Sequence, residues 1–186
     1  MDPVENDFVN KRARRLLYTG LVAVKEYNYD KAIQEFKTSA ALVRTPDALT
    51  YWGWIEFQLG RPHRALELCH EAIAVDPGFG NPYNDIGSYL VFLGRKEEAV
   101  PWFYKALEAR RYGPRQFPHI NLGELFSEEG NYEKALYHFE EAKSLCPHHK
   151  QLPKMIEEVR KKAQDVAKQK DIKRVPLTLH SCTQKI

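Results

Sequence analysis

The sequence has little cysteine and no long apolar run. Its three cysteines, Cys69, Cys146 and Cys182, are an odd number without the close spacing of a disulfide framework or a zinc site, so we expect reduced thiols. No apolar run approaches the ~18 residues that a membrane span requires. The first ten residues, MDPVENDFVN, are acidic and polar where a signal peptide is basic and then apolar. These absences favour a cytoplasmic protein without a transmembrane segment.

The sequence also lacks the motifs that carry catalysis or cofactor binding. It contains no phosphate-binding GxxxxGK[ST], no dinucleotide-binding GxGxxG, no GxSxG and no zinc-binding HExxH. The adjacent His148 and His149 cannot both face one site, as histidines four residues apart on a helix would. Glutamate pairs such as Glu97–Glu98 fit turns or exposed helix faces. We therefore predict no catalytic residues, no metal site and no cofactor, which argues against an enzyme.

The net charge of +3 is small and unevenly distributed. Residues 148–186 carry ten Lys or Arg against four acidic residues, so this segment is +6 and residues 1–147 are −3. A basic tail can attract RNA or an acidic surface, but the basic helices here lack interleaved aromatic residues. RNA or acidic-surface binding through the tail is therefore a less favoured hypothesis. Arg110, Arg111 and Arg115 are predicted to be solvated loop charges.

What the sequence does contain is an internal repeat. A glycine recurs at separations of 33, 34 and 36 residues, as Gly20, Gly53, Gly87 and Gly123. An alanine recurs at the same three separations, as Ala32, Ala65, Ala99 and Ala135. The clearest copy, residues 80–106, combines apolar residues at helical spacing with a glycine at position 94, which indicates two short helices joined by a tight turn. One such hairpin cannot bury its apolar faces alone, so neighbouring copies should stack on it.

The period and residue types resemble the tetratricopeptide repeat, a helix–turn–helix unit of ~34 residues. The resemblance covers residues 13–147. The small–aromatic–small pattern of the second helix is Ala32–Phe36–Ser39, Ala65–Cys69–Ala72, Ala99–Phe103–Ala106 and Ala135–Phe139–Ala142. The turn glycine is Gly60, Gly94 and Gly130, with Asn28 in a similar place in the first repeat. The resemblance implies an all-α fold of about nine helices, an α-α superhelix of the helix–turn–helix solenoid type.

The repeat boundaries divide the chain. Residues 1–12 are predicted to be an N-terminal extension leading into the first helix, and the repeats follow at about 13–45, 46–79, 80–115 and 116–149. Ser39 stands at a normally small position of the first repeat, as expected for a terminal repeat that faces solvent. An apolar stripe predicts a capping helix at 150–170, formed by Leu152, Met155, Ile156, Val159, Ala163 and Val166. Residues 171–186 are predicted to be flexible. A binding role for the capping helix and self-association stay open.

The resemblance also implies where a partner would bind. In tetratricopeptide arrays the first helix of each repeat lines a concave surface on which extended partner peptides usually lie. The inward positions of this chain are aromatic in the N-terminal half: Tyr18, Tyr51, Trp54, Phe57 and Phe92. The remaining predicted groove residues are mostly polar or acidic: Asn81, Asn84, Asp85, Ser88, Phe117, Asn121 and Glu124. Exposed aromatics favour binding, asparagines can hold a peptide backbone, and acids favour a basic segment.

These observations predict a non-enzymatic protein–protein interaction module or scaffold that binds an extended or helical segment of a partner protein in its concave groove. A client-specific secretion or assembly chaperone is the alternative. Relatives that bind the C-terminal carboxylate of heat-shock chaperones use a clamp of Lys, Asn and Arg at inward positions. Those positions here are Leu17, Leu21, Asn84 or Asp85, and Phe117. That ligand class is therefore disfavoured.

Overall fold

The computed structural model describes the backbone of residues 2–174 and the side chains of residues 2–169. Within this range the chain forms nine α-helices and no β-strand, which confirms the predicted all-α fold. The helices are α1 (Pro3–Lys25), α2 (Tyr29–Leu42), α3 (Pro46–Gln58), α4 (Pro62–Val75), α5 (Asn81–Phe92), α6 (Lys96–Glu108), α7 (Gln116–Glu128), α8 (Tyr132–Leu145) and α9 (Leu152–Arg174). None of these helices combines the length and the apolar character that crossing a lipid bilayer requires.

The chain divides into two compact bodies, an N-terminal body (Met1–Leu122) and a C-terminal body (Gly123–Ile186). In the N-terminal body, consecutive helices pack as antiparallel neighbours within each repeat: α1 with α2, α3 with α4, and α5 with α6. Helices α3 and α5, the first helices of successive repeats, also touch directly. In the C-terminal body, α8 packs against α9. The hairpins predicted from the repeat period are therefore the building blocks of the fold.

Side-chain caps fix where several helices begin. The side-chain oxygen of Asn28 accepts a hydrogen bond from the backbone N–H of Lys31 at the start of α2. Asn131 does the same at the start of α8, and the hydroxyl of Thr45 accepts at the start of α3. Each cap satisfies a backbone N–H that has no partner within its helix. The local sequence thus determines the helix boundaries on which the repeat register depends.

A left-handed residue turns the chain between the two helices of each repeat. Gly60, Gly94 and Gly130 have φ angles of +75°, +76° and +77°. In the first repeat the left-handed residue is Tyr27, with a φ of +57°. Placing Asn28 there was therefore wrong by one residue, because Asn28 is the cap of α2. A non-glycine side chain in this conformation strains the backbone.

Tyr27→Gly is expected to raise the free energy of unfolding by about 0.5–1 kcal/mol. The glycine removes strain of ~1–2 kcal/mol, and its greater freedom in the unfolded chain offsets part of the gain. The tyrosine is 81% exposed, so losing its side chain removes little packing. Urea denaturation measures the change, with Tyr27→Ala as the control, because alanine keeps the strain. An equal gain from alanine would show that strain is not the cause.

The core of each repeat is built around the repeating glycine and alanine. Ala32, Ala65, Ala99 and Ala135 are all fully buried. A methyl group added at Gly87 would lie 2.5 Å from a ring carbon of Phe103, and one at Gly123 would lie 2.6 Å from Phe139. Both rings are buried. The glycine therefore lets the two helices approach until the ring of the second helix covers the backbone of the first.

The first repeat is more enclosed than predicted. Ser39 is buried, and its hydroxyl donates a hydrogen bond of 2.8 Å to the carbonyl oxygen of Ala13 in α1. The expectation that this position faces solvent was wrong, because α1 packs against α2 there. In addition, α1 begins at Pro3, so most of the segment predicted as an N-terminal extension is helical.

Two arginines that were predicted to be solvated hold the connection between α6 and α7 in place. The guanidinium of Arg115 donates a 2.9 Å hydrogen bond to the carbonyl oxygen of Leu107 and bonds two later carbonyls. Arg111 pairs with the Asp76 carboxylate at 2.8 Å. Arg110 is exposed, as predicted. The connection is thus fixed to the end of α6 and to the loop before α5 rather than freely solvated.

The predicted capping helix is present and longer than expected. Leu152, Ile156 and Val159 are buried where α9 packs against α8, and Arg160 pairs with Glu140 of α8 at 2.7 Å. The helix continues to Arg174, so residues 171–174 belong to it rather than to the predicted tail. The rest of the predicted flexible tail, residues 175–186, lies outside the described residues.

Candidate functional site

A cavity of about 270 Å³ opens between α1, α3 and α5 of the N-terminal body. These are the first helices of three successive repeats. The cavity, which we call the α1/α3/α5 cavity, is lined by Leu21, Val24, Thr50, Tyr51, Trp54, Asn81 and Asp85. Four of the predicted groove residues therefore meet at one place: Tyr51, Trp54, Asn81 and Asp85.

The two aromatic residues of the cavity are half-buried. Tyr51 stacks on Phe36 of the core with a centroid distance of 5.8 Å, and Trp54 meets Tyr29 edge-on at 6.4 Å. Both side chains also pack against the core cluster that contains Ile55. Both residues are therefore part of the packing of the core as well as predicted groove residues. One side of each ring supports the repeat, and each residue also lines the cavity.

The other predicted aromatics divide into two groups. Phe57 is half-buried, stacked on Tyr89 at 4.2 Å and in edge contact with Phe92 at 5.0 Å, so it contributes mainly to packing. Tyr18, Phe92 and Phe117 are 68%, 67% and 46% exposed. Exposed rings of this size on the first helices of repeats offer apolar contact area outside the cavity.

Three predicted polar residues form a hydrogen-bonded cluster that joins α5 to the first half of α7. The side-chain amide of Asn121 donates to the Asn84 side-chain oxygen at 3.1 Å and lies 3.5 Å from the Ser88 hydroxyl. That hydroxyl donates to the Asn84 carbonyl oxygen at 3.1 Å. An asparagine carries two donors and an acceptor with two lone pairs, so these contacts do not exhaust the pair. The cluster fixes its side chains while leaving hydrogen-bonding capacity for a ligand.

Asp85 gives the cavity its charge. Burial raises the pKa of the Asp85 carboxyl to about 7, and a hydrogen bond from the Asn84 side chain opposes this rise. Among the described side chains, no cation acts to lower its pKa. Burial, followed by the charges of Asp47 and Asp85, also raises the pKa of Tyr51. Above about pH 7 the cavity therefore carries a negative charge that no described cation neutralises.

Comparison with known proteins agrees with this repeat geometry. Two family models, both described as tetratricopeptide repeat, match residues 81–112 and 117–149. These two segments are therefore tetratricopeptide repeats. A search of curated protein sequences gave no significant match.

Several solved structures share the tetratricopeptide fold. The structure titled "Functional Characterization of Pseudomonas Aeruginosa pilF" is 18% identical, with a TM-score of 0.78 over 88% of this chain and 74% of that chain. A MamA crystal structure is 18% identical, with a TM-score of 0.63 over 90% of this chain and 98% of that chain. The second TPR of Spaghetti, bound to the HSP90 peptide SRMEEVD, is 21% identical, with a TM-score of 0.51 over 54% of this chain and 94% of that chain. At these identities the likeness establishes the fold.

The last predicted groove residue of the tetratricopeptide array, Glu124, belongs to the C-terminal body. It is exposed and lines a separate cavity of about 570 Å³ together with Glu128 of α7. Lys154 and Lys162 of α9 line the same cavity, so its charge is mixed. The described side chains contain no cluster of three residues that could hold a metal ion.

A polar network on the second tetratricopeptide repeat was not foreseen. Trp52 is half-buried, and its indole N–H donates to the Glu56 carboxylate at 2.8 Å. The cations of Lys37 and Arg64 each lie 5.0 Å from a ring centroid of the indole. Glu56 also pairs with Arg61 at 3.0 Å. The Trp–Glu spacing of four residues is the one sequence signal that could have predicted part of this network.

Proposed function

We propose that this protein is a non-enzymatic interaction module that binds an extended or helical segment of a partner protein along α1, α3 and α5. The observation that carries the proposal is the α1/α3/α5 cavity. Its mainly apolar lining, its few polar groups and its position between successive repeats are typical of a site that holds one side chain of a longer ligand. The segment would continue over the first helices on either side.

The aromatic residues of the cavity suit this role. Tyr51 and Trp54 are held by core contacts, so a ligand would order them at little cost in conformational entropy. Half-buried tyrosine and tryptophan are enriched among the residues that contribute most to binding at protein interfaces. The exposed ring of Phe92 on α5 adds contact area on one of the same helices.

The hydrogen-bonding groups suit an extended backbone. The Asn84–Asn121 pair can donate to a peptide carbonyl and accept from a peptide N–H without reading a side chain. Because the Asn121 side chain donates to the Asn84 side-chain oxygen, the Asn84 amide is restrained before a ligand arrives. A fixed amide pair gives affinity for the backbone, and the cavity gives preference for one side chain.

The charge of the site argues against an acidic partner segment. The Spaghetti structure holds the peptide SRMEEVD, which carries three acidic side chains. Here the α1/α3/α5 cavity contains the carboxylate of Asp85, and the positions of the expected cationic clamp include Leu17 and Leu21. Like charges repel across an interface. The partner segment we propose is therefore neutral or basic.

Trp54→Ala is expected to weaken binding of a groove-dependent peptide about thirtyfold, the effect of removing a residue that dominates an interface. The peptides are selected from a random phage-displayed library with the full-length protein, and isothermal titration calorimetry gives their affinities. Trp102→Ala on α6 is the control, since it removes a half-buried indole that does not line the cavity. Equal affinity of all selected peptides for both variants and the wild type would contradict the proposal.

A second pair of variants separates lost binding from lost stability. Phe92 and Phe8 are each 67% exposed, so replacing either with alanine removes little buried area. We expect Phe92→Ala to weaken the same peptides and Phe8→Ala to leave them unchanged, because Phe8 lies before the first repeat. A loss in both variants would instead point to a general effect on the surface of the N-terminal body.

A further inference from the structure

The carboxylate of the half-buried Asp85 is a charge that the described part of the fold does not neutralise. It lines the α1/α3/α5 cavity, accepts a hydrogen bond from Asn84, and has no cationic neighbour among residues 2–169. Removing a carboxylate from water without a counter-ion destabilises a protein. Stability alone would favour an amide or an apolar side chain at this position. A group that the fold leaves without a counter-ion at a cavity wall is suited to receive one from a ligand.

The remaining walls match a long cationic side chain. Tyr51 and Trp54 present aromatic residues, whose ring faces attract cations, and Leu21 and Val24 present apolar surface for a methylene stem. The volume of about 270 Å³ lies below the ~300–1,000 Å³ range of sites for drug-sized ligands, which fits a single side chain. An acidic side chain of the ligand would be repelled by the Asp85 carboxylate, and a purely apolar one would leave that carboxylate without a counter-ion.

We propose that the α1/α3/α5 cavity binds a lysine or arginine side chain of the partner segment. The stem lies against Leu21 and Val24, and the cationic head lies between the Asp85 carboxylate and the rings of Tyr51 and Trp54. This inference rests on the proposed function, because the side chain arrives on a partner segment. It adds the chemistry by which that segment is selected.

The charge of Asp85 makes this recognition pH-dependent. Affinity for the basic side chain falls as the pH drops below about 7, where the Asp85 carboxyl takes up a proton in the free protein. The other titratable groups on which the Asp85 charge acts are neutral between pH 5 and 8, because their ordinary pKa values lie above this range and burial raises them further: Tyr51, Cys69, Tyr89 and Tyr112. Asp47 is the other acidic residue whose charge acts on Tyr51, and its carboxylate is paired with the Arg111 guanidinium at 3.7 Å.

The site is tested first with small probes that need no known partner. The full chain is titrated with n-butylguanidinium and, separately, with the uncharged n-butylurea, while the indole N–H of Trp54 is followed by NMR at pH 8. We expect saturable shifts with n-butylguanidinium, at least tenfold weaker binding to Asp85→Asn, and weaker binding at pH 5.5. Equal binding of both probes, or equal binding to wild type and Asp85→Asn, would overturn the inference.

Library-selected peptides then separate this inference from the function on which it rests. We expect one Lys or Arg to recur in peptides that require Trp54, and its replacement by norleucine to weaken binding at least tenfold in wild type. In Asp85→Asn the same replacement should change the peptide affinity little, since the loss of the Asp85 charge has already removed the interaction with the cationic side chain. Peptides that require Trp54 but tolerate norleucine would overturn the cation site and leave the interaction module standing. Failure to recover any Trp54-dependent peptide would overturn both.

Discussion

Gly87→Ala is expected to lower the free energy of unfolding by about 2 kcal/mol, whereas Gly53→Ala should change it by less than about 1 kcal/mol. A methyl group at Gly87 would lie 2.5–2.7 Å from three ring atoms of Phe103, which is fully buried. Overpacking costs ~1–3 kcal/mol, and three contacts this short place the cost at the upper end of that range, from which the better helix propensity of alanine returns ~1 kcal/mol.

Gly53 is a natural control for this prediction. Its second-helix partner is Cys69 rather than phenylalanine, and the nearest atom to an added methyl group is the carbonyl oxygen of Ala65, at 3.2 Å. Both glycines lie in the N-terminal body, so urea denaturation reports the same unfolding transition for the two variants. Phe103→Leu should relieve part of the cost of Gly87→Ala. Equal losses at Gly87 and Gly53 would show that the ring contact does not set the packing of the repeat.

Asp85→Asn is expected to stabilise the protein by about 2 kcal/mol at pH 8 and to leave its stability unchanged near pH 4. The folded-state pKa of about 7 lies above the ordinary value of 3.8, so the folded protein holds its proton more tightly than the unfolded chain. The wild type therefore has its full stability below pH 3.8 and loses part of it as the pH rises through about 7. A shift of this size corresponds to ~4 kcal/mol, which we halve because the half-buried residue retains contact with solvent.

Urea denaturation of both proteins at pH 4, 6 and 8 measures the difference. The gain from Asp85→Asn should appear between pH 4 and pH 8 and follow a single titration. Asp30→Asn provides the control, since that carboxylate is exposed at the start of α2 and should give a small change at every pH. If the free energies of unfolding of wild type and Asp85→Asn differ by the same amount at all three pH values, the charge of Asp85 does not destabilise the folded protein. Together with reduced binding of basic probes, the predicted result would mark Asp85 as a residue kept at a cost in stability.

The repeat register was the part of the fold that the sequence determined best. The two helices of a repeat approach closely only where their side chains are small. The positions of Gly87 and Ala99 therefore carry glycine and alanine in every repeat, and the alanines are buried. The left-handed turn residue of the first repeat was misplaced because Tyr27 gives no compositional sign of its backbone conformation. The role of Arg115 was missed for a different reason. Its partners are backbone carbonyls at the end of the preceding helix, and a loop arginine carries no signal for them.

The sequence predicted part of the lining of the α1/α3/α5 cavity but not its chemistry. The inward positions of the repeat placed Tyr51, Trp54 and Asp85 on one face, and the structure brings them to one cavity. Phe57 occupies an equivalent position yet packs on Tyr89, because neighbouring repeats determine which inward rings are covered. The lack of a cation beside Asp85 among the described side chains depends on three helices together. No single stretch of sequence contains it.

The indole N–H signals of the three tryptophans report directly on whether a peptide binds at the α1/α3/α5 cavity. Trp54 lines the α1/α3/α5 cavity, Trp52 bonds Glu56, and Trp102 contacts Lys105 on α6. The full-length protein is titrated with a library-selected peptide, and the three signals are followed by two-dimensional NMR. We expect the Trp54 signal to shift with the peptide's binding curve while those of Trp52 and Trp102 stay in place. Shifts at Trp52 or Trp102 with an unchanged Trp54 would contradict binding at this cavity.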